Sequence, residues 1–502
     1  MRVNGAGLAR LFLILMWIIA ATPPGRASGS PVERAVTHLK ANRYQDAASL
    51  YWDLPSVEAS ESGKAHMILG ISCLNSARLY GELHDLSIDV SLNYLGKVSS
   101  HRGRDRSRLA NLYMAEVLMA GQDPDRAASY YQEVANDPGA ATSERDVARA
   151  GLGLANFLLG REGRAEKLWS SVAGSSDPEV LSELASAFAE AGLWNREPSG
   201  VCDQALSSAG RSGDPGPMRV RSNCIGVYTR AGQLDKALEL VRDLDMKAFA
   251  DEEKLGENKT IRFYSIRLLD GLAALYGKTS IDLLGKAFNA RNMSGAAGLY
   301  LGMAYAQMGM AAESLAAIDS LNNAGEQLAA PQMVTAKMIR AGALHAEGRE
   351  KEGFDLLTRT VRENSSDPRL VAEAVLICDT IDSGCGEILA AAENLAGRRE
   401  GWGSAGINLS LGRHYARRSD WQKALTFLEA GRDKSNKNRI EYNDPLLLVE
   451  LARAYYRTKK YSEALEIFFG MSGQFPAVRQ LQNALQGVYS VEQKSAGDVK
   501  VL

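Results

Sequence analysis

The sequence predicts an all-α chain of antiparallel helical hairpins stacked one on another into a solenoid, and three observations predict it. Apolar residues recur at helical spacing, as in Leu451, Ala452 and Tyr455 and again in Ala464, Phe468 and Met471. A short polar link, Arg457-Thr458-Lys459-Lys460, joins these two stretches and forces them to run antiparallel. The same order of small and aromatic residues then returns upstream through most of the chain.

The N-terminus stands apart from this pattern. Arg2 and Arg10 precede the apolar run Leu11 to Ala21, and Gly25-Arg26-Ala27 supplies small residues for cleavage, so residues 1–27 read as a secretory signal peptide. The run is shorter than the roughly twenty residues a bilayer span needs, and an uncleaved anchor is the other reading. No Cys follows it closely, which argues against a lipid-anchored form. The mature chain is expected to be exported, periplasmic or secreted, with no integral membrane span.

Each later element is justified by its own copy of the pattern. Tyr44, Ala47 and Tyr51 open the series, followed by Met114, Ala115, Leu118, Ala127 and Tyr131. Leu152, Gly153, Gly160, Ala165 and Trp169 form the next copy, and Pro138 and Pro178 lie close behind the second helices of these two units. Cys224, Ile225, Tyr228, Gly232, Leu234, Ala237 and Val241 repeat it. Leu301, Gly302, Tyr305, Gly309, Ala311, Ser314 and Ile318 depart once, with Ser for Ala. Leu411, Gly412, Tyr415, Trp421, Ala424 and Leu428 precede the final unit, which Pro476 punctuates.

Small residues at the eighth and twentieth positions, with aromatics at the eleventh and twenty-fourth, resemble the tetratricopeptide repeat (TPR) in a divergent form. The family's early Trp is missing, and Asn156, Gly353 and Ser314 occupy consensus positions. The resemblance implies a right-handed superhelix whose inner wall is lined by successive first helices. It divides the chain into a TPR-like sub-array over residues 31–245, an irregular helical connector over 246–295, a second sub-array over 296–490 and a tail over 491–502. Glu197 to Met218, rich in Pro, Gly and Ser, reads as a long loop or a break, and Asp433 to Pro445 as a polar insertion.

Composition fits a packed helical protein, with 45% hydrophobic and 24% charged residues and only 14 prolines among 502. Removing residues 1–27 takes away Arg2, Arg10 and Arg26 and no acid, so 58 basic and 60 acidic residues become 55 and 60. A chain of that balance offers no steering toward nucleic acid. Cys202 with Cys224 and Cys378 with Cys385 are the pairings that export permits; buried thiols are the alternative, and Cys73 is left over. No pair of CxxC elements, no HExxH and no phosphate-binding loop is present, so neither metal nor cofactor is expected and the chain reads as a non-enzyme.

Function is therefore sought in a binding face. In the family the ninth and thirteenth positions line the inner wall, which here implies Arg413 and Arg417 in one unit and Arg453 and Arg457 in the next, with Tyr456 beside Arg453. Such a guanidinium cluster suits carboxylates, and some TPR domains clamp a terminal carboxylate with basic groove residues, although the Asn residues that complete that clamp are missing here. The opposing reading is a solvated face relieved by Glu450 and Glu463. The expected function is a protein–protein interaction scaffold of the cell envelope, binding an acidic segment or a C-terminal carboxylate. The alternative is a glycan- or peptidoglycan-binding module, or a noncatalytic activator of an envelope hydrolase.

Overall fold

The computed structural model describes residues 29–99, 104–209, 216–251, 265–290, 294–323, 330–378, 385–397, 403–437 and 445–471. The signal segment, the loop Asp379 to Gly384, Gly401-Trp402, the side chain of Phe468, Pro476 and the tail lie outside the described residues. Among those described, all regular structure is helical: α1 (Pro31–Lys40), α2 (Tyr44–Ser49), α3 (Ser62–Ser99), α4 (Arg104–Ala120), α5 (Pro124–Asn136), α6 (Thr142–Leu158), α7 (Glu162–Val172), α8 (Pro178–Glu190), α9 (Pro198–Ser208), α10 (Gly216–Arg230) and α11 (Leu234–Asp251). These are followed by α12 (Ser265–Phe288), α13 (Ser294–Gln307), α14 (Ala311–Asn323), α15 (Ala330–Ala346), α16 (Glu350–Glu363), α17 (Pro368–Cys378), α18 (Gly386–Gly397), α19 (Gly403–Arg417), α20 (Trp421–Lys437), α21 (Pro445–Arg457) and α22 (Tyr461–Met471). No described helix is long and apolar enough to cross a membrane.

One backbone device generates the hairpins. Asn42, Gln122, Gly160, Gly192, Gly232, Gly309, Gly348, Ser419 and Lys459 all have φ between +54° and +78°, giving nine turns of one kind among the described residues. At Gln122 the N–H bonds the Met119 carbonyl and the Asp123 N–H reaches back to Leu118, which closes the helix and reverses the chain. The same two bonds recur at Gly232 and Gln233, at Ser419 and Asp420, and at Lys459 and Lys460. Each of these nine residues follows by seven a buried residue, small in all but one case: Ala35, Ala115, Gly153, Ala185, Ile225, Gly302, Ala341, Gly412 and Ala452.

These small residues receive a side chain from the second helix of their own hairpin. A Cβ on Gly412 would lie 2.5 Å from Leu428 Cγ, and one on Gly302 would lie 2.8 Å from Ile318 Cδ1, sixteen residues on in both cases. Trp169 lies against Gly153 in the same way, and its indole N–H donates to the Ala150 carbonyl at 3.1 Å. Both departures at the twentieth position also have a packing reason. Ser314 donates its hydroxyl to the Gly302 carbonyl at 2.8 Å, whereas a Cβ on Gly353 would meet the Ala341 carbonyl at 2.6 Å.

The chain separates into two compact units. One comprises Met1–Leu79 and Tyr276–Ala464, the other Tyr80–Leu275 and Leu465–Leu502. In the first, Met67, Ile71 and Leu74 of α3 share a core with Leu284 and Ala287 of α12 and Ala297, Leu301 and Ala304 of α13. Eight consecutive residues of α3, Met67–Leu74, are buried, so this stretch is a core helix with no solvent face. In the second, Trp169 meets Phe188 of the following hairpin edge-on at 5.3 Å, and Arg196 caps the Phe188 ring at 5.0 Å.

The segment expected to be a loop, Glu197 to Met218, is a helix over most of its described part. Glu197 takes φ +50°, Pro198 starts α9 at a position that needs no N–H donor, and Cys202 and Ala205 are fully buried. Both cysteine pairs are disulfides, Cys202–Cys224 with Cα atoms 5.6 Å apart and Cys378–Cys385 with 5.9 Å, and Cys73 is a buried thiol. Part of the insertion expected at Asp433 to Pro445 is likewise helical, since α20 runs on to Lys437.

Candidate functional site

The basic residues singled out in the sequence lie on α19 and α21, first helices of consecutive hairpins in the first unit. Arg413 is buried, with its Nε 2.9 Å from Glu450 Oε1, and Glu450 Oε2 lies 3.4 Å from Arg453 Nη1. Glu450 is itself only 3% exposed, so one buried carboxylate joins the two guanidiniums inside the protein. Burial, then the neighbouring Arg78, push the Arg413 guanidinium down to about 10, against the pull of Glu450.

The remaining members are arranged differently. Arg417 and Arg457 are exposed at the C-terminal ends of α19 and α21, where a cation complements the helix dipole. The Arg457 guanidinium lies over the Trp421 ring at 5.4 Å, which fixes it beside the start of α20. Tyr456 is buried and meets Tyr461 edge-on at 5.3 Å. The five residues thus divide into an interior set, Arg413, Arg453 and Tyr456, and an exposed pair, Arg417 and Arg457, with Arg418, Lys459 and Lys460 also exposed nearby in sequence.

Tyrosines at the eleventh position tie neighbouring hairpins together. Tyr415 donates to Glu393 of α18 at 2.5 Å, and Lys423 reaches the same carboxylate at 2.9 Å while standing 4.0 Å from the Tyr415 ring centre. Tyr228, Asp203 and Lys236 form the same trio, with the phenol 2.5 Å and the ammonium 3.0 Å from the carboxylate. Tyr455 donates to Glu429 at 3.0 Å, with Lys460 at 3.9 Å. Hydrogen bonds from Tyr415 and Lys423 hold the Glu393 carboxyl below its ordinary value, and burial followed by the Glu393 bond pushes the Tyr415 phenol up.

The second unit holds a buried ionic network that sequence reasoning missed. Arg219 of α10 bonds Glu116 of α4 and lies 3.1 Å from Glu183 of α8. Arg267 of α12 grips both oxygens of Glu183, at 2.6 and 3.0 Å, and donates to Asn223 at 3.2 Å. Burial raises the Glu116 carboxyl despite the two arginines; burial acts the same way on Glu183, but Arg267 and Arg219 outweigh it and the carboxyl ends below its ordinary value. The signal that could have revealed this network is a single charge set among apolar neighbours, as in Met114-Ala115-Glu116-Val117-Leu118.

Among the described residues no group of three or more His, Cys, Asp or Glu is placed to hold a metal ion.

A family model described as PPR repeat matches residues 222–247, the segment that carries Cys224, Tyr228, Gly232 and Ala237. No curated protein matches the chain. Among solved structures, the chain is similar to that titled the crystal structure of the APC/C hetero-tetramer Cut9-Hcn1, at 14% identity over 96% of this chain and 94% of that one, with a TM-score of 0.28. It is also similar to a monomeric IFIT1 mutant with m7Gppp-AAAA, at 13% identity over 84% and 80% with a TM-score of 0.20. A further monomeric IFIT1 mutant, with Gppp-AAAA, gives 13% identity over 83% and 80% and a TM-score of 0.21. The chain carries a PPR repeat, a helical repeat of the tetratricopeptide type, within an all-α array of hairpins.

Proposed function

We propose that this protein is an exported, non-catalytic scaffold of the cell envelope that holds an acidic segment of a partner protein on the basic ends of α19 and α21. The observation that carries the reading is the division made by Glu450. Glu450 engages Arg413 and Arg453 from the interior, whereas Arg417 and Arg457 are exposed at matching positions of consecutive hairpins. Arginine at such a surface offers a fork to carboxylates, and stacking of Arg457 on Trp421 limits the freedom lost when it is engaged. Export is supported by the apolar N-terminal run and by two disulfides, a bond type that persists in oxidising compartments.

The test is affinity capture from an envelope extract, with residues 28–502 compared with the Arg417→Glu/Arg457→Glu variant. The exposed pair is chosen because replacing Arg413 or Arg453 would strand Glu450 in the interior. A protein retained by the parent and lost by the variant supports the reading, and equal retention by both sinks it. Retention of peptidoglycan with no protein in either arm would favour the glycan-binding alternative.

A further inference from the structure

A cavity of about 530 Å³ opens in the first unit between α15 and α16, with Ile318 of α14 at its base. Its floor is apolar: Ile318, Ala336 and Leu344 are buried, and Leu356 is half-buried. Met333, half exposed, stands at the rim. The volume falls in the range of about 300–1,000 Å³ typical of ligand sites.

Five charged residues surround this floor, and the structure sorts them. Lys337 pairs with Glu363 at 3.8 Å, Arg340 with Asp319 at 3.3 Å, and Glu352 with Arg349 at 2.6 Å. Asp355 and Arg359 lie one helical turn apart on α16, a spacing at which acid and base ordinarily pair. They make no such pair, and neither has an ionic partner among the described residues. The cavity therefore presents one carboxylate and one guanidinium, side by side along an apolar floor.

We propose that this cavity is a second docking site, taking a short peptide segment of a partner protein in which an apolar residue lies between a basic and an acidic one. The basic side chain meets Asp355 and the acidic one meets Arg359. The apolar side chain lies on Ala336 and Leu344, where it removes Met333 from water. Charge complementarity selects this pattern over a uniformly acidic segment, because such a segment would confront Asp355. The site is independent of Arg417 and Arg457.

The test pans a displayed random-peptide library against residues 28–502 and measures the selected peptides by fluorescence anisotropy. Selected peptides are expected to carry the basic–apolar–acidic order, and Arg359→Glu should weaken them by about tenfold or more. Replacing the peptide's acid by Lys should restore binding to the Arg359→Glu chain, a rescue that general surface damage would not give. Arg417→Glu/Arg457→Glu should leave these affinities unchanged, which separates failure here from failure of the function proposed above. Selection of no peptide, or of peptides that bind the Arg359→Glu chain as tightly as the parent, would overturn the proposal.

Discussion

The Tyr415 hydroxyl donates to Glu393 across the step from α18 to α19, and Lys423 completes the contact from α20. A residue whose ring fills the space between hairpins thereby also specifies which carboxylate its neighbour must present. Because Glu393 is held below its ordinary value, its contribution is present at neutral pH and fades as pH falls through the lowered folded value. Its side chain is 40% exposed, so that contribution is at most about 1 kcal/mol. Urea unfolding of Glu393→Gln is expected to match the parent at low pH and to fall short of it at pH 7; a constant difference across that range would contradict the pairing.

Tyr455 offers a cleaner separation of ring from hydroxyl. Tyr455→Phe loses the bond to Glu429 and is expected to cost about 1 kcal/mol. Tyr455→Ala empties the interface of a ring that is only 5% exposed and should cost about 3–5 kcal/mol. Denaturant midpoints of the two variants check the order.

The turns predict substitutions of opposite sign. Lys459 occupies the left-handed region at φ +64°, so Lys459→Gly is expected to stabilise the protein by up to about 1 kcal/mol. Gly232 has φ +74° with open space around it, and Gly232→Ala should cost about 1 kcal/mol through backbone strain alone. Thermal melts of both variants provide the comparison.

The Cys202–Cys224 bridge closes a sequence separation of 22 residues and joins α9 to α10. Removing it as Cys202→Ser/Cys224→Ser is expected to cost about 2–4 kcal/mol. Loss of α9 protection in hydrogen exchange should accompany that change, since few other features of Glu197 to Ser208 specify a helix. Unchanged stability and unchanged exchange would show that α9 stands without the bridge.

In the second unit, Glu183 accepts from both Arg219 and Arg267. Glu183→Ala leaves two guanidiniums in the interior with Glu116 alone and is expected to cost about 3–5 kcal/mol. The measurement is the chemical-denaturation midpoint, and a loss below about 1 kcal/mol would mean that water takes the carboxylate's place.

The sequence displayed the hairpins more clearly than the surface. Small residues such as Gly412 and Ala452 mark where two helices touch, and the turn residue seven positions later follows from local backbone chemistry; both are local signals. The hairpin at Ala185 and Gly192 escaped notice because Glu197 replaces its second small residue and the Pro-, Gly- and Ser-rich composition that follows suggested a loop. Glu116, Glu183, Arg219 and Arg267 were illegible because their partners lie up to 103 residues apart in sequence, and pairing at that range is fixed by stacking. Glu450 was visible as a neutralising group, but spacing alone gave no indication that it sits beneath Arg413 and Arg453 in the interior.

The scaffold reading rests on Arg417 and Arg457, and the decisive measurement is capture of an envelope protein by residues 28–502 and by the Arg417→Glu/Arg457→Glu variant at equal melting temperature. The account predicts a partner bound by the parent and absent from the variant, whereas equal capture by both would place the interface elsewhere on the protein.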